Sequence, residues 1–157
     1  MKIYIFGYGS LMNQGSLQKT LPGATIEKRA ALLGYQRKFN FAAGNYVYLN
    51  IIPARNRQVD GVLIRVTEKM LKKLKQREKG YVCKDVTEQI AKPVDGKIFV
   101  FRAPDRTCAN KKILKSYLET CLRGVPKIKK KKWTQETIMS AAIENDLANP
   151  KYKNNGL

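Results

Sequence analysis

The chain begins with a short segment, Lys2 to Tyr8, whose apolar side chains fall on both faces of an extended strand. Ile3 and Ile5 point to one face, and aromatic residues occupy the other. This pattern predicts a strand that is covered on both sides. It leads into Gly7-Tyr8-Gly9-Ser10-Leu11, where the glycines permit backbone conformations that other residues resist. A short helix is predicted next, at about Ser16 to Leu21.

Stretches rich in β-branched and aromatic residues predict the rest of a sheet. Glycine, proline and asparagine separate these stretches from one another. The further predicted strands are about Thr25 to Leu33, Tyr35 to Phe41, Tyr46 to Ala54, Gln58 to Val66, Tyr81 to Ile90 and Lys97 to Arg102. The last two flank Pro93-Val94-Asp95-Gly96, which has the residues of a hairpin turn. The spacing favours an antiparallel meander or barrel of six or more strands.

Three longer helices are predicted. The first runs from Thr67, a helix N-cap residue, to Lys79 and stops at Gly80. The other two are about Asn110 to Arg123 and Thr134 to Leu147. One face of the second is apolar and is interpreted as core: Ile113, Leu114, Tyr117, Leu118, Cys121 and Leu122. We therefore expect a single α+β domain over residues 1–148 and a flexible tail over residues 149–157.

Glu78 has an unusual position in the helix predicted from Thr67. At 100° per residue it falls within the apolar sector of Met70, Leu71 and Leu74, and the lysines of the segment fall outside that sector. An inward-facing carboxylate near the negative end of a helix has a raised pKa. Glu78 is therefore a candidate acid–base residue. The alternative is that Glu78 forms a structural ion pair with a neighbouring Arg77, Arg65 or Lys84, or turns outward at a fraying end.

The glycine loop after the first strand is the second candidate element. Such a loop can turn successive backbone N–H groups toward one point, forming a nest for a carboxylate or a developing oxyanion. It can equally be a plain turn. Because it is neither Gly-x-Gly-x-x-Gly nor a P-loop, it does not indicate nucleotide binding.

The composition excludes several classes of enzyme. The 157 residues include no histidine, so Ser-His-Asp and Cys-His catalysis and His-ligated metal centres are not available. General acid–base chemistry must then use a carboxylate, Lys, Tyr or Cys. Cys83, Cys108 and Cys121 are odd in number and widely spaced, which indicates buried or idle thiols. No segment approaches bilayer-spanning length, so we expect a cytoplasmic protein without a membrane partner.

The chain is strongly basic. Lys and Arg total 31 against 12 Asp and Glu, a formal charge of +19. This charge could attract nucleic acid, but a lysine-biased solvated surface explains it without a specific partner. The same two interpretations apply to the run that contains Lys127, Lys129, Lys130, Lys131 and Lys132. No nucleic-acid-binding motif is present, so no specific nucleic-acid partner is expected.

Three motifs together resemble a known family. They are Phe6-Gly7-Tyr8-Gly9-Ser10-Leu11, Val59-Asp60-Gly61-Val62-Leu63 and Arg77-Glu78-Lys79-Gly80-Tyr81. In this order they resemble the γ-glutamylcyclotransferase-like superfamily, which includes the ChaC and AIG2-like branches. The third motif is similar to one in the glutathione-degrading ChaC branch. Met12-Asn13 replaces the Trp common there, and Leu49-Asn50-Ile51-Ile52-Pro53 is more similar to the broader branch.

The resemblance implies a small mixed β-barrel with flanking helices, and a cofactor-free enzyme that converts γ-glutamyl compounds into 5-oxoproline. It implies that Glu78 is the catalytic acid–base residue. The residues implied to bind substrate are Tyr8, Gly9, Ser10 and Leu11, through their backbone, and Tyr81. Glutathione, a γ-glutamyl dipeptide and a γ-glutamylamine all remain possible substrates. A catalytically silent binding module of the same fold is the main rival, and a basic nucleic-acid-binding protein ranks third.

Overall fold

In a computed structural model of the chain, which describes residues 1–145, a mixed sheet is flanked by helices. The strands are β1 Ile3–Gly7, β2 Thr25–Ala43, β3 Tyr46–Val66, β4 Val82–Asp85, β5 Lys97–Arg102, β6 Lys112–Leu114 and β7 Ala142–Glu144. The α-helices are α1 Gln14–Thr20, α2 Glu68–Arg77, α3 Lys115–Arg123 and α4 Lys130–Glu136. Single 3₁₀ turns lie at Ser10–Met12, Thr87–Gln89 and Lys127–Lys129. The predicted α+β class is confirmed.

The sheet is organised around β1 and β3. Its order is β4-β5-β1-β3-β6-β7, with β2 paired to β3. β1 runs antiparallel to β3 and parallel to β5, so it lies between two hydrogen-bonded neighbours. Tyr4, Ile5 and Phe6 are buried from both faces, as the sequence predicts. These pairings leave the sheet open within residues 1–145, and its seven strands agree with the predicted six or more.

β2 and β3 form one long antiparallel hairpin where four separate strands were predicted. Gly44 has a φ of 60° at the first position of the two-residue turn, as a type II′ turn requires. Gly34, with a φ of 80°, lies at a register shift between Leu33 and Tyr35. Its positive φ accommodates a β-bulge instead of ending the strand. The turn-forming residue is therefore absorbed into a continuous, bent strand pair.

α2 begins as predicted, because the Thr67 hydroxyl oxygen accepts a hydrogen bond of 3.2 Å from the backbone N–H of Met70. The helix ends at Arg77, two residues earlier than predicted. The predicted helix from Asn110 is wrong in its first half. Lys112–Leu114 is strand β6, which pairs with β3 and β7, since Ile113 and Leu114 fit a buried strand as well as a helical stripe.

The connection between β4 and β5 is also longer than predicted. β4 ends at Asp85, and a 3₁₀ turn at Thr87–Gln89 replaces the rest of the predicted strand. The Asp85 carboxylate accepts hydrogen bonds from both the backbone N–H and the hydroxyl of Thr87, at 2.9 and 2.6 Å. This local capping interaction turns the chain away from the sheet.

A buried arginine joins the C-terminal segment to the sheet. Arg37 is 2% exposed, and its Nε and Nη1 atoms donate to the Thr137 hydroxyl (3.0 Å) and the Asp60 carbonyl (2.9 Å). Its guanidinium lies 5.0 Å from the centre of the Trp133 ring. Burial lowers the pKa of Arg37 to about 10, while Glu136 opposes this shift. Arg37 thus attaches α4, which contains Trp133 and ends at the C-cap Thr137, to the sheet.

The helix predicted from Thr134 to Leu147 is wrong, because α4 spans Lys130–Glu136 and Ala142–Glu144 is a strand. Three residues of the lysine run, Lys130, Lys131 and Lys132, lie within α4. Residues 146–157, which include the predicted tail, lie outside the described residues. Between residues 1 and 145, no helix is long and apolar enough to cross a membrane.

Candidate active site

A cavity of about 460 Å³ opens where β1 ends, between α1, the end of α2, α3 and the β2–β3 hairpin. Every residue implied by the sequence motifs lines it: Tyr8, Gly9, Ser10, Leu11, Glu78 and Tyr81. The volume is typical of a small-molecule site. The tertiary structure therefore brings the glycine loop and the candidate acid together at one cavity.

The glycine loop leaves β1 and closes into the 3₁₀ turn Ser10–Met12. The backbone N–H of Met12 donates to the Gly9 carbonyl at 3.0 Å, and that of Asn13 donates to the Ser10 carbonyl, also at 3.0 Å. The amides of Gly9, Ser10 and Leu11 precede these bonds, and none donates to a loop or turn carbonyl within residues 1–145. These amides can therefore receive an anionic group.

The glycines of this loop allow close packing rather than a left-handed backbone. Neither Gly7 nor Gly9 has a positive φ. Gly9, with φ of −135° and ψ of −127°, nevertheless lies outside the helical and extended regions, as the sequence led us to expect of a loop glycine. A Cβ on Gly9 would lie 3.1 Å from Leu49 Cδ2 and 3.6 Å from the Tyr117 hydroxyl oxygen. A Cβ on Gly7 would lie 2.9 Å from Ile64 Cδ1. The loop is therefore pressed against β3 and α3.

The second sequence motif, Val59-Asp60-Gly61-Val62-Leu63, also contains a glycine that allows close packing. Gly61 of β3 lies behind Gly7 of β1, and a Cβ on Gly61 would lie 2.6 Å from the Phe6 ring and closer still to the Gly7 carbonyl oxygen. Gly7 pairs with Val62 in the sheet. The glycine of the Val-Asp-Gly-Val motif thus allows β1 to pack closely against β3, and this packing sets the position of the glycine loop.

Glu78 caps the C-terminus of α2. Its backbone N–H donates to the Leu74 carbonyl at 2.9 Å, while its φ and ψ of −79° and 61° leave the helix. The side chain is partly buried and lines the cavity. Burial raises the pKa of its carboxyl group, and the positive charge of Arg77 opposes that shift. A base of this kind retains proton affinity closer to neutral pH.

The structural ion pair that would compete with this role is not formed. Arg65 lies 3.5 Å from Glu27, and Arg77 donates from Nη1 to the Thr20 carbonyl at 3.2 Å. Within residues 1–145, Glu78 forms no salt bridge, that is, neither of its carboxylate oxygens lies within 4 Å of a Lys or Arg nitrogen. Its carboxylate therefore remains available to the cavity.

Tyr8 and Tyr81 line the cavity with hydroxyl groups that are already engaged. The Tyr8 hydroxyl donates to the Phe101 carbonyl at 2.7 Å, and the Tyr81 hydroxyl donates to the Leu49 carbonyl at 3.0 Å. Burial raises the pKa of both phenols, and the Glu78 charge acts in the same direction. Both phenols therefore stay protonated and uncharged, and their hydrogen bonds fix the two rings in the lining of the cavity.

Several lining residues were missed from the sequence. Tyr117 was interpreted as core, yet it lines the cavity, and its hydroxyl oxygen accepts a hydrogen bond of 3.4 Å from the Leu49 N–H. Phe41 and Tyr48 also line it. Beneath Tyr117, the thiol of Cys121 is fully buried, and burial raises its pKa to about 12. Aromatic residues in strands and helices look like core in any sequence, so no local signal distinguishes these.

A second cavity of about 250 Å³ shares no residue with the first. Four cations line it: Lys28, Arg29, Lys92 and Lys129. Arg29 donates from Nη1 to the Gly124 carbonyl at 3.3 Å. Lys129 thus places one end of the lysine run at this second cavity, away from Glu78.

A family profile and solved structures match the chain. The profile described as gamma-glutamyl cyclotransferase, AIG2-like, matches residues 5–134. A crystal structure of an uncharacterised protein from Homo sapiens is similar with a TM-score of 0.72 and 16% identity, over 94% of this chain and 95% of the other. A structure named gamma-glutamyl cyclotransferase gives a TM-score of 0.71 and 16% identity, over 88% of this chain and 89% of the other.

A third similar structure is YkqA from Bacillus subtilis, with a TM-score of 0.61 and 22% identity over 85% of this chain and 53% of the other. At these identities the structural likenesses establish the fold. No curated protein matches the chain in sequence.

Proposed function

This chain belongs to the gamma-glutamyl cyclotransferase, AIG2-like family, and we propose that it converts a γ-glutamyl peptide or amine into 5-oxoproline and the free amine. One observation carries the proposal: the partly buried carboxylate of Glu78 lines the same cavity as Gly9, Ser10 and Leu11, whose amides donate to no loop or turn carbonyl within residues 1–145. A base and an anion-binding loop are the two elements that intramolecular aminolysis needs.

In the proposed reaction Glu78 first takes a proton from the α-ammonium group of the substrate. The freed amine attacks the γ-carbonyl carbon, so a ring C–N bond forms as the amide C–N bond breaks. Glu78 returns its proton to the departing nitrogen. The ring nitrogen loses a further proton, and the leaving amine takes it up and departs as an ammonium ion. No proton is gained or lost overall.

The loop would hold the substrate in the folded-back conformation. Backbone amides of Tyr8, Gly9, Ser10 and Leu11 would bind the α-carboxylate of the γ-glutamyl group. This fixes the α-nitrogen near the γ-carbonyl, where ring closure has a high effective concentration. Tyr81 and Tyr8 would then serve as walls, because their hydroxyl groups are committed to the Leu49 and Phe101 carbonyls.

The decisive assay measures release of 5-oxoproline from a panel of γ-glutamyl dipeptides, γ-glutamylamines and glutathione. A binding module of the same fold would bind members of the panel, measured by calorimetry, without releasing product. Release from at least one compound is expected. Binding without release would replace the enzymatic proposal by the binding module.

Glu78→Gln tests the acid–base role. The amide keeps the size of the side chain but cannot accept a proton, so kcat is expected to fall by roughly 10²- to 10⁴-fold. Lys72→Met on the exposed side of α2 is the matched control, since Lys72 does not line the cavity. Unchanged kcat in Glu78→Gln, with a folded spectrum, would remove Glu78 from the mechanism.

A further inference from the structure

The mouth of the main cavity has a cationic side. Among residues 1–145, the charged side chains that line the cavity are Lys19, Arg77 and Glu78. Lys19 lies near the end of α1 and Arg77 at the end of α2, and both residues are exposed. The Arg77 guanidinium, which has five N–H donors, donates from Nη1 to the Thr20 carbonyl at 3.2 Å, and this bond places it next to the end of α1. An incoming anion therefore meets two cations at the entrance.

The side formed by the β2–β3 hairpin is aromatic. Phe41 and Tyr48 are partly buried and line the cavity. The Phe41 ring stacks on Tyr81 with centroids 4.1 Å apart and an interplanar angle of 18°. Tyr48 contacts Tyr117 edge to face, with centroids 4.9 Å apart. Contact between the rings holds them as a fixed apolar surface.

These two sides have a consequence for the substrate, provided that the proposed function holds. With the γ-glutamyl group at the loop and Glu78, the leaving amine extends toward the mouth. We infer that the preferred leaving group is an α-amino acid with a large apolar or aromatic side chain. Its carboxylate is attracted by the positive charges of Lys19 and Arg77, and its side chain packs against Phe41 and Tyr48. An amine without a carboxylate gains only the second contact.

Four matched substrates separate the two contacts: γ-glutamyl-phenylalanine, γ-glutamyl-phenethylamine, γ-glutamyl-alanine and γ-glutamyl-ethylamine. Each amine is the preceding amino acid without its carboxylate. The expected kcat/KM of each acid exceeds that of its amine by about tenfold, at the low end for a charge-assisted contact because the mouth is exposed. The phenylalanine derivative is also expected to exceed the alanine derivative.

Substitutions assign the contacts. Lys19→Met and Arg77→Met should each reduce the ratio of kcat/KM for the acid to kcat/KM for its amine, mainly through a higher KM for the acid. Lys19→Arg keeps the positive charge and should keep the wild-type ratio. Lys72→Met should leave the ratio as in the wild type, because Lys72 lies outside the cavity lining. Tyr48→Ala should reduce the advantage of phenylalanine over alanine without changing the acid-to-amine ratio.

The outcomes are distinct. If the wild-type enzyme has equal kcat/KM for acid and amine in both substrate pairs, or higher values for the amines, the cationic contact is overturned. Equal values for the phenylalanine and alanine derivatives overturn the aromatic contact. If none of the four compounds nor any member of the wider panel yields 5-oxoproline, the proposed function itself fails, and this inference fails with it.

Discussion

The Tyr81 hydroxyl donates a hydrogen bond of 3.0 Å to the backbone carbonyl of Leu49. Leu49 is 2% exposed and lies against Gly9, where a Cβ would be 3.1 Å from Leu49 Cδ2. Its N–H donates to the Tyr117 hydroxyl oxygen. One residue of β3 thus connects the segment that carries Glu78 with the glycine loop, so the separation of the two depends on the sheet.

Tyr81→Phe removes this connection and keeps the ring that stacks on Phe41. The Leu49 carbonyl loses its partner, so the free energy of unfolding should fall by about 0.5 to 1.5 kcal/mol. The decrease in kcat should stay below about tenfold, because the Tyr81 hydroxyl positions the site without transferring the proton. Denaturant unfolding and steady-state assays measure both. A decrease in kcat as large as that of Glu78→Gln would instead place the hydroxyl in the proton transfer.

The pH dependence of turnover follows from the environment of Glu78. Burial raises the pKa of this carboxyl group from its ordinary value of 4.5. Since the base acts when ionised, kcat/KM should rise with pH through a midpoint above 4.5. Arg77→Met should move this midpoint to higher pH, because the charge of Arg77 favours the carboxylate. A midpoint at or below the ordinary value would show that another group limits the rate.

The same raised pKa predicts a pH-dependent stability difference. A carboxyl group whose pKa is higher in the folded state stabilises the fold below its ordinary, unfolded pKa of 4.5, and this contribution is lost as the pH rises through the folded value. Glu78→Gln should therefore have a higher Tm than the wild type at pH 7, with a smaller difference near pH 4. Exposed Glu88→Gln provides the control. A constant difference at all pH values would contradict the assignment.

Gly124 supports the far end of the glycine loop. A Cβ at this position would lie within 2.6 Å of backbone atoms of Met12, which follows directly on the loop. Gly124→Ala should therefore lower the free energy of unfolding by about 1 to 3 kcal/mol. Gly15→Ala is the matched control, because the nearest atom there is a side-chain oxygen, Asn13 Oδ1, at 3.3 Å, and not the backbone. Equal stability of the two variants would contradict this close contact.

The basic surface is expected to bind nucleic acid without sequence preference. Lys127, Lys129, Lys131 and Lys132 are exposed, and the chain carries a formal charge of +19. Affinities for unrelated RNA and DNA oligonucleotides should be similar and should fall steeply between 50 and 200 mM salt. Fluorescence anisotropy over a salt series measures this. One sequence bound with a preference that persists at the higher salt would indicate a specific partner.

Local physical chemistry allowed much of the fold to be predicted. The apolar faces of β1, the bounds of β5 and the Thr67 cap depend on residues within a few positions of each other, and all three are found. The interpretation of Gly34 as a strand end was wrong, because a bulge and a turn require the same positive φ. Whether the chain reverses or continues depends on a partner strand elsewhere in the sequence.

The sequence by itself identified the loop and Glu78 as candidates, since motif order and the apolar sector of α2 are properties of the chain alone. Only the tertiary structure decided that they line one cavity and that Arg65 and Arg77 engage other partners. It also decided that Tyr48 and Tyr117 form a wall of that cavity and not simply core. Which side chains are buried, and which meet at one cavity, depends on how distant segments of the chain pack together. Local residue patterns do not record that packing.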